Sequence, residues 1–439
     1  MSGHTRLLGL GTLLLAATGM PAVAATYEVG PGRPYTRLAQ VPWTALKSGD
    51  QVLVHWRPEP YREKILLAAG GVTLRGVPGP GGALPVIDGN GAGTPACFAG
   101  WTGERGVVQI GNADYEPAGV PTGIVVESLE IRSGRPPYTF TQANGATRTY
   151  PRNAASLYVR RGGRITIRGC TLRDSGNGLM IGSSDRSVSH DILVEANHIL
   201  DNGIEGSTYE HNSYTAARNI VFQYNRYGPL RGGGRGCNLK DRSAGLVVRY
   251  NWIEGGNREL DIVDAEDSAI LRADPAYLVT RVYGNTLIEP EADGNPQMVH
   301  YGGDSQHLDW YRKGVLLFYH NTVISARTDR TVLFRLQTAD AGCDARNNIF
   351  FSRPGSQGFR TVDGPAPCHL EHNWLDGGPN PGFVDAARQD YRLAAGSPGV
   401  GAGGELHPQA GPVLRQYVRH QSSAARAPRN PPDLGAYPR

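Results

Sequence analysis

The sequence predicts an all-β protein folded as a single-domain right-handed parallel β-helix, a solenoid in which each repeat is one coil. A pattern of two short strands around a polar residue recurs every 25 to 36 residues, and that residue is usually asparagine. Glycine (59) and proline (31) make up about a fifth of the 439 residues, which indicates many turns. Helix patterning is scarce, so the repeats are predicted to be strands.

Residues 1–25 are predicted to be a signal peptide. They contain the basic residues His4 and Arg6, an apolar run LLGLGTLLLAATGM and a small-residue end PAVAA. The run is shorter than the roughly 20 residues that cross a bilayer. We therefore expect a secreted or periplasmic protein with no membrane span.

Residues 26–90 are predicted to form an N-terminal cap and the first coils. The spacing of Leu38, Val41 and Leu46 indicates a short helix, which the turn SGD and the strand QVLVH follow. Residues 91–400 are predicted to be the β-helix with its binding groove, and residues 401–439 a C-terminal tail.

The recurring asparagines predict a ladder inside the solenoid. Coils stack at about 4.8 Å, so that each side-chain amide can donate to one neighbour and accept from the other. Asparagine also tolerates the left-handed backbone of a tight bend. The predicted ladder residues are Asn197, Asn225, Asn251, Asn285, Asn321, Asn348 and Asn373.

Two of the five cysteines share the register of the repeat. Cys343 and Cys368 each lie five residues before a ladder asparagine, so they are expected on neighbouring coils. That separation allows a disulfide, but two buried free thiols are an equally good interpretation. Cys97, Cys170 and Cys237 are predicted to be packing residues.

The segment CNLKDRSAGLVVRYNWIEGGNRELDIVDAED is the candidate active region. Lys240 and Arg242 are two residues apart in a strand, so their side chains leave the same face. The next coil supplies Asp261, Asp264 and Glu266. Aligning the coils predicts one inward row and one outward row. The inward row is Leu179, Ile204, Leu239 and Leu260, and the outward row is Met180, Glu205, Lys240 and Asp261.

Other polar residues are predicted to border this face. The segment YEHNSY contains Glu210, His211 and Tyr214, and His211 and Tyr214 are candidate catalytic residues beside Lys240 and Arg242. Candidate substrate-binding residues come from a glycine-rich loop and from later coils. They are Arg231, Arg235, His300 and Arg335.

Such a set of residues suits β-elimination from a uronic acid. The C5 proton can be removed only if the adjacent carboxylate is neutralised, by an arginine or by a hard cation with oxygen ligands. A lysine base must lose its own proton first, which cationic neighbours favour and carboxylates oppose. Tyr214 or His211 could protonate the leaving oxygen or act as the base instead.

The scaffold and the segments EHNSY, CNLKDRS and VVRYNWI resemble the right-handed parallel β-helix polysaccharide lyases of the pectate-lyase-like superfamily. More narrowly, NLKDRSAGLVVRYN is similar to the lysine-bearing strand of the chondroitinase B and alginate lyase group. The resemblance implies Lys240 as the base, with Arg242 standing in for an arginine that the group has on the next coil. It also implies a calcium ion, for which Glu205, Asp261 and Asp264 are the candidate ligands.

Three other functions stay open. A glycoside hydrolase could use Asp261 and Asp264 as its carboxyl pair, and a C5-epimerase would share the proton abstraction. A non-catalytic polysaccharide-binding protein could use Trp252, Trp310 and Tyr311 as sugar platforms. In each case the expected partner is a polysaccharide and the expected state a monomer. The formal charge of only +4 argues against a nucleic-acid binder.

Overall fold

The computed structural model of the protein describes residues 24–113, 119–291, 294–375 and 380–439. Three long sheets, here named A, B and C, run along the chain with parallel pairing between successive coils. Each complete coil passes from a strand of sheet A through a tight corner to sheet B and then to sheet C. The predicted all-β parallel β-helix is therefore confirmed. Most of the predicted signal peptide lies outside the described residues.

The strands of sheet A are Thr26–Val29, Gln51–His55, Thr73–Val77, Val125–Glu127, Gly163–Arg168, His190–Glu195, Arg218–Gln223, Val247–Arg249, Val279–Tyr283, Gly314–Tyr319, Ala341–Arg346 and Cys368–Glu371. Sheet B comprises Val86–Asp88, Glu130–Arg132, Thr171–Arg173, His198–Leu200, Arg226–Tyr227, Trp252–Glu254, Thr286–Glu289, Thr322–Ser325, Ile349–Ser352 and Trp374–Leu375. Sheet C comprises Ile65–Leu67, Gly106–Ile110, Ala155–Val159, Asn177–Ile181, Ser213–Thr215, Leu239–Asp241, Leu260–Ile262, Gln297–Tyr301, Thr331–Leu336 and Phe359–Asp363.

The remaining strands form small sheets beside the solenoid: Ala92–Gly93 with Thr139–Thr141 and Thr147–Thr149, Phe383–Asp385 with Asp390–Leu393, and Arg415–Val418 with Ser422–Ala425. One α-helix spans Ala269–Arg272. Short 3-10 helices span Leu38–Gln40, Trp43–Ala45, Pro80–Gly82, Ala96–Phe98, Pro275–Leu278, Leu308–Trp310 and Ala386–Arg388.

The asparagine ladder is present at the corner between sheets A and B. From Asn197 to Asn373, each amide nitrogen donates to the amide oxygen of the next ladder residue at 2.9 to 3.2 Å. The sequence predicted a left-handed backbone at the asparagine itself, and that prediction was wrong by one position. The left-handed residue is the one before each asparagine, with φ between 50° and 66°. The corner therefore turns at that residue, which leaves the asparagine free to bond with its neighbours.

Aliphatic residues fill the interior between the three sheets. Leu179, Leu239, Leu260 and Val299 are buried on the inner face of sheet C. Their immediate neighbours along each strand therefore point outward, because side chains alternate across a strand. This alternation positions the candidate site on the outer face of sheet C.

The N-terminal cap is built differently from the predicted helix. Its segment forms two 3-10 turns, Leu38–Gln40 and Trp43–Ala45, with Pro42 between them. Proline has no backbone N–H to continue a helix, which explains the break. The predicted apolar residues Leu38, Val41 and Leu46 are nevertheless buried.

The C-terminal segment packs along the solenoid. Phe383, Tyr391, Tyr417 and Tyr437 form a cluster with apolar residues that sheet B presents outward, such as Trp252. The hydroxyl groups of Tyr437 and Thr286 are 2.8 Å apart. The segment predicted as a tail thus covers the outer face of sheet B.

The cysteines divide as the repeat suggests. Cys343 and Cys368 are direct partners on neighbouring strands of sheet A, yet both are free thiols. Cys170 and Cys237 are buried packing residues, whereas Cys97 is exposed, so the packing prediction was wrong for Cys97. In the described part of the chain, no helix is long and apolar enough to span a bilayer.

Candidate active site

Five predicted site residues lie in one row on the outer face of sheet C. Tyr214 pairs with Lys240, Lys240 with Asp261, Asp261 with His300, and His300 with Arg335, each on the next coil. Equivalent residues of stacked coils are about 4.8 Å apart, so side chains of opposite charge meet directly. The row therefore places aromatic, basic and acidic side chains next to one another over five coils.

The predicted register was wrong on the coil before Lys240. The outward residue there is Tyr214, and Ser213 takes the inward place predicted for Ile204. Glu205 instead lies in the preceding loop, is exposed, and forms an isolated bridge with Gly234. The loop inserted into this coil moves the strand away from the position that simple alignment predicts.

Lys240 lies between two carboxylates. Its ammonium nitrogen is 3.2 Å from an oxygen of Asp261 and forms a second, shorter ion pair with Asp304. Burial lowers the pKa of the Lys240 ammonium, but these carboxylates outweigh it and raise the pKa above its usual value. Lys240 therefore keeps its proton at neutral pH while both carboxylates contact it.

The Arg242 side chain is almost fully buried, and each of its three guanidinium nitrogens makes its own contact. Its Nε donates to the hydroxyl of Tyr214 at 2.9 Å, and its Nη1 donates to the backbone carbonyl of Asp264. Its Nη2 lies 2.9 Å from both Glu266 and Asp304. These contacts fix the planar group, so it presents the same edge to the groove at all times.

Asp304 is a site residue that the sequence prediction missed. Its Oδ1 accepts from Arg242 and its Oδ2 from Lys240, so one carboxylate bridges the two cations. It lies just beyond the sheet C strand Gln297–Tyr301, as Asp264 lies just beyond Leu260–Ile262. This shared place after a strand was the signal in the sequence that could have revealed it.

Asp261 and His300 form the buried part of the site. An oxygen of Asp261 contacts His300 Nδ1 at 2.6 Å and Arg258 at 3.2 Å. Burial raises the pKa of the Asp261 carboxyl, but Lys240, His300 and Arg258 outweigh it and hold the pKa well below its usual value. Asp261 is therefore a permanent negative charge beneath the groove.

His211 and Tyr214 lie beside the two cations. Burial, followed by the charge of Lys240, lowers the pKa of His211 to about 3, so its ring is neutral. The backbone N–H of Cys237 donates to its Nδ1 at 2.8 Å, which leaves the proton on Nε2. Burial raises the pKa of the Tyr214 phenol, which therefore also keeps its proton. Near neutral pH the Tyr214 phenol carries a proton that it can donate, whereas the neutral ring of His211 can donate only a hydrogen bond.

Of the four predicted substrate-binding residues, two lie in the row and two lie outside it. His300 and Arg335 lie in the row, and Arg335 forms an ion pair with Asp363 at 3.2 Å. Arg231 instead donates to Asp174 at 2.9 Å. Arg235 is exposed in the glycine-rich loop, where its backbone N–H donates to the carbonyl of Ser207 at 2.9 Å.

The three predicted calcium ligands do not form a site. Glu205 is exposed in its loop, and both oxygens of Asp261 contact cationic groups. Asp264 accepts from the backbone N–H of Asp304 at 2.8 Å. Among residues 24–113, 119–291, 294–375 and 380–439, no three His, Cys, Asp or Glu side chains are arranged to hold a metal ion. These three residues therefore do not fit a calcium ion.

Glu266 differs from the other carboxylates of the site. Its side chain is about a third exposed, and burial raises the pKa of its carboxyl despite the opposing effect of Arg242. For Asp304 the charges of Lys240 and Arg242 outweigh burial and lower the pKa. The site thus holds one carboxyl with a raised pKa next to one with a lowered pKa.

No protein-family model matches this sequence, and no curated protein matches it either. Among solved structures, the chain is similar to pectate lyase Pel9A, with a TM-score of 0.52 and 11% identity over 96% of this chain and 98% of that one. The alginate lyase from Paenibacillus sp. str. FPU-7 gives a TM-score of 0.44 and 13% identity over 79% and 97% of the two chains. At such identities, the likeness to Pel9A shows a shared β-helix fold.

Proposed function

We propose that the protein is a secreted polysaccharide lyase that cleaves a uronate-containing anionic polysaccharide by β-elimination. The observation that carries this proposal is the carboxylate held between Lys240 and Arg242, with one oxygen on each cation. A pair of cations arranged in this way around Asp304 has the geometry to bind the carboxylate of a uronic acid. The likeness to a pectate lyase fold and the apolar start of the sequence agree with this proposal.

Arg242 is proposed to neutralise the substrate carboxylate. Because C5 of a uronate carries that carboxyl group, a carboxylate docked on Arg242 brings the C5 proton close to Lys240. Negative charge develops on the carboxyl group as the proton leaves, and a fixed guanidinium stabilises it without reorganising. The four contacts of Arg242 keep it in place for this role.

Lys240 is proposed to remove the C5 proton. The electron pair of the C5–H bond forms the C4–C5 double bond, the bond from C4 to the glycosidic oxygen breaks, and that oxygen takes a proton from Tyr214. Tyr214 suits this step because its raised pKa keeps its proton. Lys240 can act only when Asp304 leaves it, since Asp304 favours the ammonium form.

The experiment is an assay of the mature protein on a panel of uronate polymers, with and without calcium. A lyase produces unsaturated uronates, which absorb in the ultraviolet. Changing Lys240 to Ala should abolish that absorbance while the protein stays folded by circular dichroism. Retention on an immobilised polymer without any cleavage product would instead indicate a binding protein. No reaction and no retention across the panel would contradict the proposal.

A glycoside hydrolase is the second candidate, and Glu266 and Asp304 favour it. Both carboxylates lie 2.9 Å from the same guanidinium nitrogen of Arg242, and their pKa values are shifted in opposite directions. Retaining hydrolases use two carboxyl groups about 5–5.5 Å apart, the acid with the higher pKa and the nucleophile with the lower. New reducing ends without ultraviolet absorbance, lost in Glu266→Gln, would identify this activity.

A further inference from the structure

We propose that Asp304 is a built-in carboxylate that occupies the uronate-binding pair of the free protein and is displaced by the carboxylate of the substrate. This inference rests on the proposed function, in which Lys240 and Arg242 bind a uronate. Asp304 already makes the contact to Arg242 that such a group would make, and its other oxygen contacts Lys240. It therefore selects for sugars with a free carboxylate, because a neutral ester or alcohol cannot replace its charge.

Asp304 is also the part of the site that solvent reaches. Its side chain is 36% exposed, whereas those of Arg242 and Asp261 are 4% exposed and that of Lys240 11%. A polymer approaching the groove meets Asp304 before it meets the cations. The substrate carboxylate takes the place of Asp304 on Arg242, so the exchange does not leave this buried guanidinium unpaired, and Lys240 loses one of its two carboxylates.

The backbone around Asp304 is anchored. The N–H of Asp304 donates to Asp264 at 2.8 Å, and the N–H of Gly303 donates to the side-chain oxygen of Gln337 at 2.7 Å. A side chain at Gly303 would collide with Tyr311 and Asp264. A rotation of the Asp304 side chain on this fixed backbone is therefore enough to expose the cations.

The same contact sets the protonation of Lys240. The charged and titratable groups around the ammonium come from its own strand, the neighbouring coils and the loop after Tyr301: Arg242, His211, Tyr214, Cys237, Asp261 and Asp304. Asp261 and Asp304 are the two carboxylates among them, and Asp261 also pairs with Arg258 and His300. Removing Asp304 therefore removes one of the two charges that hold the proton on Lys240.

The test compares Asp304→Asn with Asp309→Asn, which makes the same change at an exposed position of the same loop. Calorimetric titration with unesterified polygalacturonate and alginate is done at mildly acid pH, where Lys240 is protonated and turnover is suppressed. Asp304→Asn should bind at least one of these polymers about tenfold more tightly than the wild type, since a charge-assisted competitor is gone. Asp309→Asn should bind like the wild type.

Lysine NMR gives a readout that does not depend on any substrate. The chain has only four lysines, Lys47, Lys64, Lys240 and Lys313, so a sample labelled at the lysine side chains gives four resolvable signals. In Asp304→Asn, the Lys240 signal should titrate about one to three pH units lower than in the wild type. The pH at which kcat/KM rises should move in the same direction, because this ratio reports the free enzyme.

The proposal is overturned if Asp304→Asn binds the polymers no more tightly than Asp309→Asn. It is equally overturned if the Lys240 titration does not move. Tighter binding without any elimination product would support the displaced carboxylate and count against the lyase activity alone. Should Asp304→Asn fail to fold, Asp304→Ala provides the same two readouts.

Discussion

The substitution Arg242→Ala removes a nearly fully buried cation from the site and should destabilise the folded protein. The guanidinium is 4% exposed and contacts Tyr214, Glu266, Asp304 and both the backbone and the side chain of Asp264. Its removal leaves the Asp264 carboxylate, which is fully buried, without the cation 3.6 Å away. Tyr214 and the carbonyl of Asp264 lose their donors at the same time.

The expected cost in the free energy of unfolding is about 3–5 kcal/mol, the range for breaking a buried ion pair from one side. Glu266 and Asp304 are about a third exposed, so each adds less than about 1 kcal/mol. The cost of Arg242→Ala in the free energy of unfolding should become smaller as the pH is lowered. The Asp304 pKa is lowered in the folded state, so its pairing stabilises above the unfolded pKa and is lost as pH falls through the folded value.

Urea unfolding at neutral and at acid pH measures this cost, and Arg235→Ala is the matched control. Arg235 is exposed, so its loss should change stability by less than about 0.5 kcal/mol. Arg242→Lys should recover part of the stability, because it keeps the charge but cannot make all the guanidinium contacts. In the elimination assay, Arg242→Ala should lower kcat/KM about 100- to 1,000-fold. Equal stability of Arg242→Ala and Arg235→Ala would refute the reasoning.

Two further predictions concern the scaffold. Asn251→Ala removes the acceptor of the Asn225 backbone N–H, one of the two acceptors of the Asn225 side-chain amide and the amide that donates to the carbonyl of Phe222, so it should cost about 3 kcal/mol in urea unfolding. An equal loss in Asn373→Ala at the half-buried end would argue against the ladder. Cys343 and Cys368 are in direct register, so a disulfide oxidant should join them. Mass spectrometry should then show the loss of two hydrogens, and an unchanged mass would show that the two thiols cannot meet.

The fold was predictable because the repeat acts locally. Each ladder asparagine bonds to the equivalent residue one coil away, so the spacing of these residues in the sequence directly gives the coil boundaries. The same counting predicts that Lys240 and Asp261 are neighbours, since the segment that joins their two adjacent coils carries no long insertion. Features that repeat in every coil can therefore be predicted from a single sequence.

The missed features lie where the coils depart from the repeat. Glu205 was misplaced because a loop separates it from the strand that carries Tyr214. Asp304 was missed because it lies in a loop after a strand rather than in the repeating strand, and the repeat does not show that this loop folds back over Lys240. The ion pair of Arg231 with Asp174 was also not foreseen, because the two residues are 57 positions apart in the chain.

The central claim is that Lys240 and Arg242 serve a substrate carboxylate, and one measurement tests it most directly. The mature protein is mixed with a panel of unesterified polyuronates and with the same polymers after chemical reduction of their carboxyl groups to alcohols, and ultraviolet absorbance is followed. The account predicts steady formation of unsaturated product from at least one polyuronate and none from its reduced form. Reducing ends released equally from both forms, without absorbance, would contradict it.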